Sequence, residues 1–377
     1  MRISLLLPSL LLLCACGSGY SYDPKNPRSG HPIVEGGFEY VTGGYGFDAD
    51  DNLVLVGHAP TVGPEQGETL RWNRARREFE RFGGPLPVVE GRIVRDGKGR
   101  LYLHSGLKLF TWAAGDAAWA PVPLPLSILE SVNARRYGLE EIDVDRAGTL
   151  FARFRYYEPN DQPDMPSHNG FALFRRAPGE VNLTPVVELP LDSKGYVLYG
   201  AERLSGPSIH ARGDGTLFVA FLQTLFALPP GRSELVKVFD CGAVVGKYCT
   251  TGGPVFTNPR SDEAFIAGYR LPKGTSFPVV PEALGVLGPM TEYRLGADGT
   301  GWAYDTEEGA LTVNYPPYIL DVTTVRRLKG TAWEPEVAIV TPAFTWVHSD
   351  HGAFYSFGRQ LISGGIWTSW GVYSLEP

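Results

Sequence analysis

The chain has 377 residues and a formal net charge of −7, with a pI near 5.6. That length suits one large β domain or two ordinary ones. The acidic balance argues against a general nucleic-acid binder, which would carry a basic face. Hydrophobic residues make up 43% and aromatics 12%, with 46 Gly and 31 Pro. This mixture favours many short strands and turns over helices, around a core of useful size.

At the N-terminus, Met1-Arg2 precedes a short apolar run from Ile3 to Leu13, too short to span a bilayer permanently. Leu13-Cys14-Ala15-Cys16 follows at once. These residues resemble a bacterial lipobox, which implies a leader over 1–15, cleavage after Ala15 and lipidation of Cys16. The other reading is an ordinary secretory signal with an incidental Cys. Gly17 rather than Asp follows Cys16, which among enterobacterial lipoproteins implies the outer membrane. The polar stretch 16–36 reads as lipidated Cys plus flexible tether, and 37–377 as one folded domain.

The folded part repeats a tight turn. Asn52, Gly99, Gly148, Gly215, Gly299 and Gly352 anchor six copies, and Ser261-Asp262-Glu263 is a degenerate seventh. The turns read DADDN, RDGKG, DRAG, RGDG, GADG and SDHG. Each supplies Asp, Asn or Gly where a positive φ is cheap and a side chain can bond its own backbone. Apolar residues recur two and three positions after the anchor (Leu101-Tyr102, Leu150-Phe151, Leu217-Phe218) and six before it (Ile93, Ile142, Ile209). That pattern is a hairpin in register. A second hairpin follows: Trp112 is matched by Trp119, as Trp72 is by Phe79 and Leu228 by Leu235. The stretch 70–82, which has a helical look, is therefore expected to be a hairpin.

A four-strand unit recurring every 36 to 67 residues is close to the period of a β-propeller blade. The expectation is an all-β protein: a propeller of about seven four-stranded blades, or six if the degenerate copy is not a blade. The anchored turns resemble the D-x-x-G-x-L-aromatic signature of bacterial NHL and two-component-regulator sensor propellers. That resemblance implies a fold and no ligand. Ring closure is left between Ile366–Leu375 and the segment around Gly37–Thr42.

Departures from the repeat gather on one face. Long second-to-third-strand segments occur at 58–69, 156–169 and 305–324, and long blade connections at 131–140, 192–207 and 240–254. Insertions on one face of a rigid scaffold suggest a binding face. Its candidate contacts are Arg135, Arg136, Tyr137, Tyr196, Tyr199, Arg203 and Tyr248, types enriched at interfaces. Cys241 and Cys249 form an even pair at short spacing, expected as a disulfide pinning one such loop. Free buried thiols are the alternative.

The inner strands would place Arg92, Glu141, His210 and Glu292 around a central channel, with Tyr45 in the same column. Glu141, Glu292 and Asn258 are oxygen donors that suit calcium, but Arg92 beside them favours ion pairing instead. His168 with Asp161 and Asp164 is a further loop cluster. No G-x-S-x-G elbow, P-loop or dinucleotide fingerprint occurs. Arg212-Gly213-Asp214 reads as a blade turn. The expectation is a lipid-anchored envelope protein that binds or scaffolds a protein or glycan without a cofactor, calcium being the one ion in question. The alternative is a lactonase-like hydrolase or lyase with a metal in the channel.

Overall fold

The computed structural model describes residues 31–38, 41–58, 66–73, 76, 78–125, 136–158, 168–188, 208–221, 224–240, 255–266, 269–274, 276–284, 292–314, 317–334, 337–341, 345–348, 354–362 and 367–375. They hold strands and no helix, arranged as seven antiparallel sheets. β1 (His31–Phe38) comes first in the chain but belongs to the last sheet. The first sheet is β2 (Val41–Phe47), β3 (Leu53–His58), β4 (Gly67–Asn73) and β5 (Glu78–Leu86). The second is β6 (Arg92–Arg95), β7 (Leu101–Ser105), β8 (Lys108–Trp112) and β9 (Ala120–Pro121). The third is β10 (Arg136–Val144), β11 (Leu150–Glu158), β12 (His168–Arg176) and β13 (Thr184–Glu188). The fourth is β14 (Ser208–Ala211), β15 (Leu217–Phe221), β16 (Thr224–Leu228) and β17 (Val236–Asp240).

The fifth sheet is β18 (Val255–Thr257), β19 (Ala264–Ile266), β20 (Tyr269–Leu271) and β21 (Glu282–Ala283). The sixth is β22 (Glu292–Leu295), β23 (Gly301–Asn314), β24 (Pro317–Lys329), β25 (Ala332–Trp333) and β26 (Val337–Thr341). β25 and β26 both pair with β24, at Leu328–Lys329 and Asp321–Val325, so the outer strand of this sheet is broken in two. The seventh is β27 (Thr345–His348), β28 (Phe354–Ile362), β29 (Trp367–Leu375) and then β1.

Within the first five sheets the strands follow chain order, a meander; the sixth departs from it only in that β26 pairs back onto β24, and the seventh only in that β1 is added outside β29. First strands pack beside first strands: β2 against β6, then β6 with β10, β10 with β14, β14 with β18, and β18 with β22. The core is correspondingly divided into layers between sheets. Alternate residues of one strand point to opposite faces, so each strand feeds two layers. In β15, Leu217 and Val219 join Ile209 and Phe151 against the third sheet. Phe218 and Ala220 join Val255 and Ile266 against the fifth. Similar layers join sheets one and two around Trp112 and Trp119, two and three around Phe154 and Phe174, and five and six around Phe256 and Phe265. Successive meander sheets packed face to face, with their first strands side by side, make a β-propeller.

Residues 70–82 form the β4–β5 hairpin with Trp72 opposite Phe79, their rings 5.1 Å apart. One sequence expectation about the turns is corrected. The first anchor is Asp51, not Asn52: its φ is +63°, and its N–H donates to the Asp48 carbonyl as that of Gly99 does to Asp96. With no glycine in DADDN, the residue that takes the left-handed turn was ambiguous. Gly44, not Tyr45, therefore shares the column of Arg92. The 305–324 insertion, expected between a second and a third strand, is there the extended part of the long β23–β24 hairpin.

Ring closure uses the 366–375 candidate together with β1, which overlaps the 37–42 candidate only at Gly37 and Phe38, Val41 and Thr42 belonging to β2. β29 pairs with β28, and β1 adds outside it, with His31 opposite Ser374 and Phe38 opposite Trp370. β1 begins at His31, inside the stretch read as tether.

Candidate functional site

Antiparallel meanders put the first-to-second and third-to-fourth turns at one end of the propeller. The second-to-third turns and the sheet connections lie at the other. At the first end the turns share one device. The Asp48 carboxylate accepts from the N–H groups of Asp50 and Asn52. Asp96 accepts from Lys98 and Arg100, and Asp145 from Gly148 and Thr149. A short acidic side chain thus satisfies N–H groups the turn leaves unpaired. This is the physical content of the recurring D-x-x-G.

These turns also meet one another. Arg260 of the fifth sheet donates to the Ala49 carbonyl of the first at 2.7 Å. Arg146 of the third donates to the Arg260 carbonyl at 2.8 Å and pairs with Asp262 at 2.9 Å. Gly213 N–H donates to the Ser261 carbonyl at 2.9 Å. A Cβ at Gly99 would lie 2.3 Å from that of Ala49, so glycine there serves close approach as well as its φ of +85°. Turns from sheets one, three, four and five therefore cover this end of the channel. Arg212 is wholly buried. It pairs with Asp214 at 2.7 Å and donates to the carbonyls of Pro272 and Gly274. Arg212-Gly213-Asp214 is a blade turn whose Arg is not presented to a partner.

Along the channel wall, Arg92 and Glu141 form an ion pair at 3.0 Å. The other Glu141 oxygen lies 3.4 Å from Arg153 Nε and accepts the Ile209 N–H at 3.0 Å. Asp143 accepts the Ala211 N–H at 2.8 Å and that of Val144 at 2.8 Å. β14 is the innermost strand of its sheet and has free N–H groups on that edge. Glu141 and Asp143 of the neighbouring sheet satisfy two of them. Burial alone would raise the Glu141 carboxyl, but His210, Arg92, Arg153 and the Ile209 N–H hold it below the usual range. Burial pushes Asp143 up to about 6, with Glu141 adding to the rise. His104 stands opposite Arg92 in the β6–β7 ladder. Its buried Nδ1 has no hydrogen-bond partner. Desolvation, with Arg92 close by, depresses it to about 4.

The structure thus joins Arg92 and Glu141, with His210 close enough to bias the Glu141 charge. Glu292 opens β22 opposite Tyr304, and its side chain lies outside the described residues. Sequence reasoning missed Asp143, His104 and Arg153. The last two were within reach: each stands five residues after an anchor, which in this hairpin faces the residue seven before it. Among the described residues no group of three or more His, Cys, Asp or Glu is placed to hold a metal ion. Asn258 is used internally, donating to the Leu295 carbonyl at 2.9 Å.

At the covered end, a crevice of about 360 Å³ opens between sheets three and four. Asp145, Arg175, Glu180 and Asp214 supply its polar wall, Phe151 and Pro230 its apolar one.

Of the proposed binding face, Arg136 and Tyr137 begin β10 opposite Tyr157 and Tyr156, without described side chains. Arg135, Tyr196, Tyr199, Arg203 and Tyr248 lie outside the described residues, as do Cys16, Cys241, Cys249 and the loop cluster Asp161, Asp164 and most of its surroundings.

No family model matches the chain, and no curated protein matches it. Solved structures similar to it include Pyrococcus horikoshii acylaminoacyl peptidase, at 9% identity and a TM-score of 0.48 over 82% of this chain and 48% of that one. Penicillium chrysogenum α-L-arabinanase aligns at 10% identity and a TM-score of 0.41, over 93% and 96%. YCF48 from Cyanidioschyzon merolae aligns at 10% and 0.34, over 93% and 99%. Similarity this remote transfers no activity.

Proposed function

We propose that this chain is a lipid-anchored cell-envelope β-propeller that binds a protein or glycan partner through its looped face, without catalysing a reaction. One observation carries the reading: the tight turns are locked together at one end, while the insertions leave from the other. Loops on a rigid scaffold are the usual place for recognition. The channel's charged groups support the same reading, since Glu141 and Asp143 are already occupied in tying β10 to β14. Their shifted protonation follows from that structural duty.

A lactonase-like hydrolase is the second reading. Asp143, titrating at about 6, is the group that favours it, because shifted acids in a channel mark candidate chemistry. Tightly retained calcium or zinc near one equivalent in dialysed protein would support that reading over simple binding.

The binding reading is tested by capture of envelope partners with the wild type and a Tyr196→Ala, Tyr199→Ala, Arg203→Ala triple variant. Partners should be lost by the variant. Retention of every partner would remove the looped face from consideration. For the anchor, Cys16→Ala should shift the protein from the membrane to the soluble fraction.

A further inference from the structure

We infer that the propeller stands with its tight-turn end toward the membrane and its looped face, crowned by the β23–β24 hairpin, pointing away into the aqueous compartment. The inference rests on the lipid-anchor reading and adds an orientation to it.

The direction of β1 carries the argument. β28 starts at Phe354, just after a first-to-second turn, so Phe354 lies at the tight-turn end. Leu375 of β29 pairs with Phe354. His31 of β1 pairs with Ser374, and Phe38 with Trp370 further along. The chain therefore enters β1 at the tight-turn end and runs toward the looped end. Fourteen residues, 17–30, separate Cys16 from His31. A flexible segment of that length has an r.m.s. span of roughly 20 Å and a limit of about 50 Å. On the r.m.s. measure the tight-turn end is the part of the propeller nearest a lipid at Cys16.

The reverse arrangement is opposed by the sixth sheet. β23 has 14 residues where β7 and β15 have 5. The β23–β24 ladder is irregular between Glu307 and Leu311, so its height follows β24: from Arg327 to Pro317, at about 3.3 Å per residue, it rises roughly 33 Å, about 20 Å more than the β7 ladder. A bilayer lying on the looped face would meet the hairpin tip first. The tether would then have to run from His31 up the whole height of that hairpin, well beyond its r.m.s. span of roughly 20 Å. Such stretching costs conformational freedom that the opposite orientation leaves intact. The looped face therefore meets a partner that approaches from the aqueous side rather than one embedded in the same membrane.

Two labels in one sheet read the orientation. Leu107 lies in the β7–β8 turn at the looped end, and Ala114 lies beyond β8 at the tight-turn end, both exposed. Each is replaced (Leu107→Cys or Ala114→Cys) in the lipidated full chain carrying Cys241→Ser and Cys249→Ser, and labelled with a donor dye. The protein is bound to vesicles containing headgroup-labelled acceptor lipid. Energy transfer should be roughly two-fold higher from position 114, given the ~16 Å that β8 puts between the sites. Equal transfer, or more from position 107, in vesicle-bound protein overturns the orientation while leaving the anchor intact. Vesicle binding that survives Cys16→Ser overturns the anchor, and the orientation falls with it.

Discussion

At the scale of single residues, the channel wall holds two groups whose titration pulls stability in opposite directions. His104 is depressed from 6.5 to about 4. Below pH 6.5 the unfolded chain gains a proton there that the folded chain refuses, so stability is lost as pH falls from 6.5 toward 4. Asp143 is raised from 3.8 to about 6. The folded chain keeps its proton where the unfolded chain has lost it, so stability is lost as pH rises from about 4 to 6. The two offset each other over much of that range. His104→Gln removes the first contribution alone. Its unfolding free energy from urea titration, relative to wild type, should improve by on the order of 2–3 kcal/mol as pH falls from 7.5 to 4.5. A difference that stayed constant with pH would show that His104 is not held neutral by its surroundings. The His104–Arg92 juxtaposition could be read from the hairpin spacing, but not its burial; the Asp143 hydrogen bond to Ala211 needs the neighbouring sheet.

At the scale of the element, each hairpin works as a divider between two apolar layers. Phe218 has no exposed surface, packs in the layer facing the fifth sheet and carries the Arg212 guanidinium 5.2 Å above its ring. Phe218→Ala should cost about 3–5 kcal/mol in chemical denaturation. Val280, 87% exposed, should tolerate Val280→Ala within about 0.5 kcal/mol. Comparable losses at both positions would contradict the layered core. The hairpins were the most legible part of the sequence because their turns carry local chemistry. Asp145 bonds its own turn, and Gly148 adopts a φ of +95° that other residues avoid. Strand pairing over long separations leaves no comparable local mark. HPIVEGGF at 31–38 has the Gly and Pro of a linker and becomes a strand because β29 offers it an edge. The split of the sixth sheet's outer strand into β25 and β26 left no mark either.

At the scale of the molecule, the ring holds together through its last sheet. Removing residues 1–30 leaves every described strand in place, and the thermal midpoint should not change. Removing residues 1–38 exposes the outer edge of β29, a row of unpaired backbone groups prone to pairing with another chain. That truncation should lower the midpoint clearly and raise protease sensitivity or self-association. Equal midpoints for the two truncations would show that β1 is dispensable.

The same β1–β29 pairing also orders events in time. The first strand of the propeller has to wait for a partner that the chain supplies last, with nearly the whole sequence between His31 and Ser374. Loop closure over such a distance is slow relative to local hairpin formation. Six sheets assemble from neighbours in sequence, and the seventh cannot be finished until β29 has been made. An interrupted or shortened chain would keep most of its hairpins and still carry two open edges. Quality control that senses exposed strand edges would therefore read the completeness of this protein at a single seam.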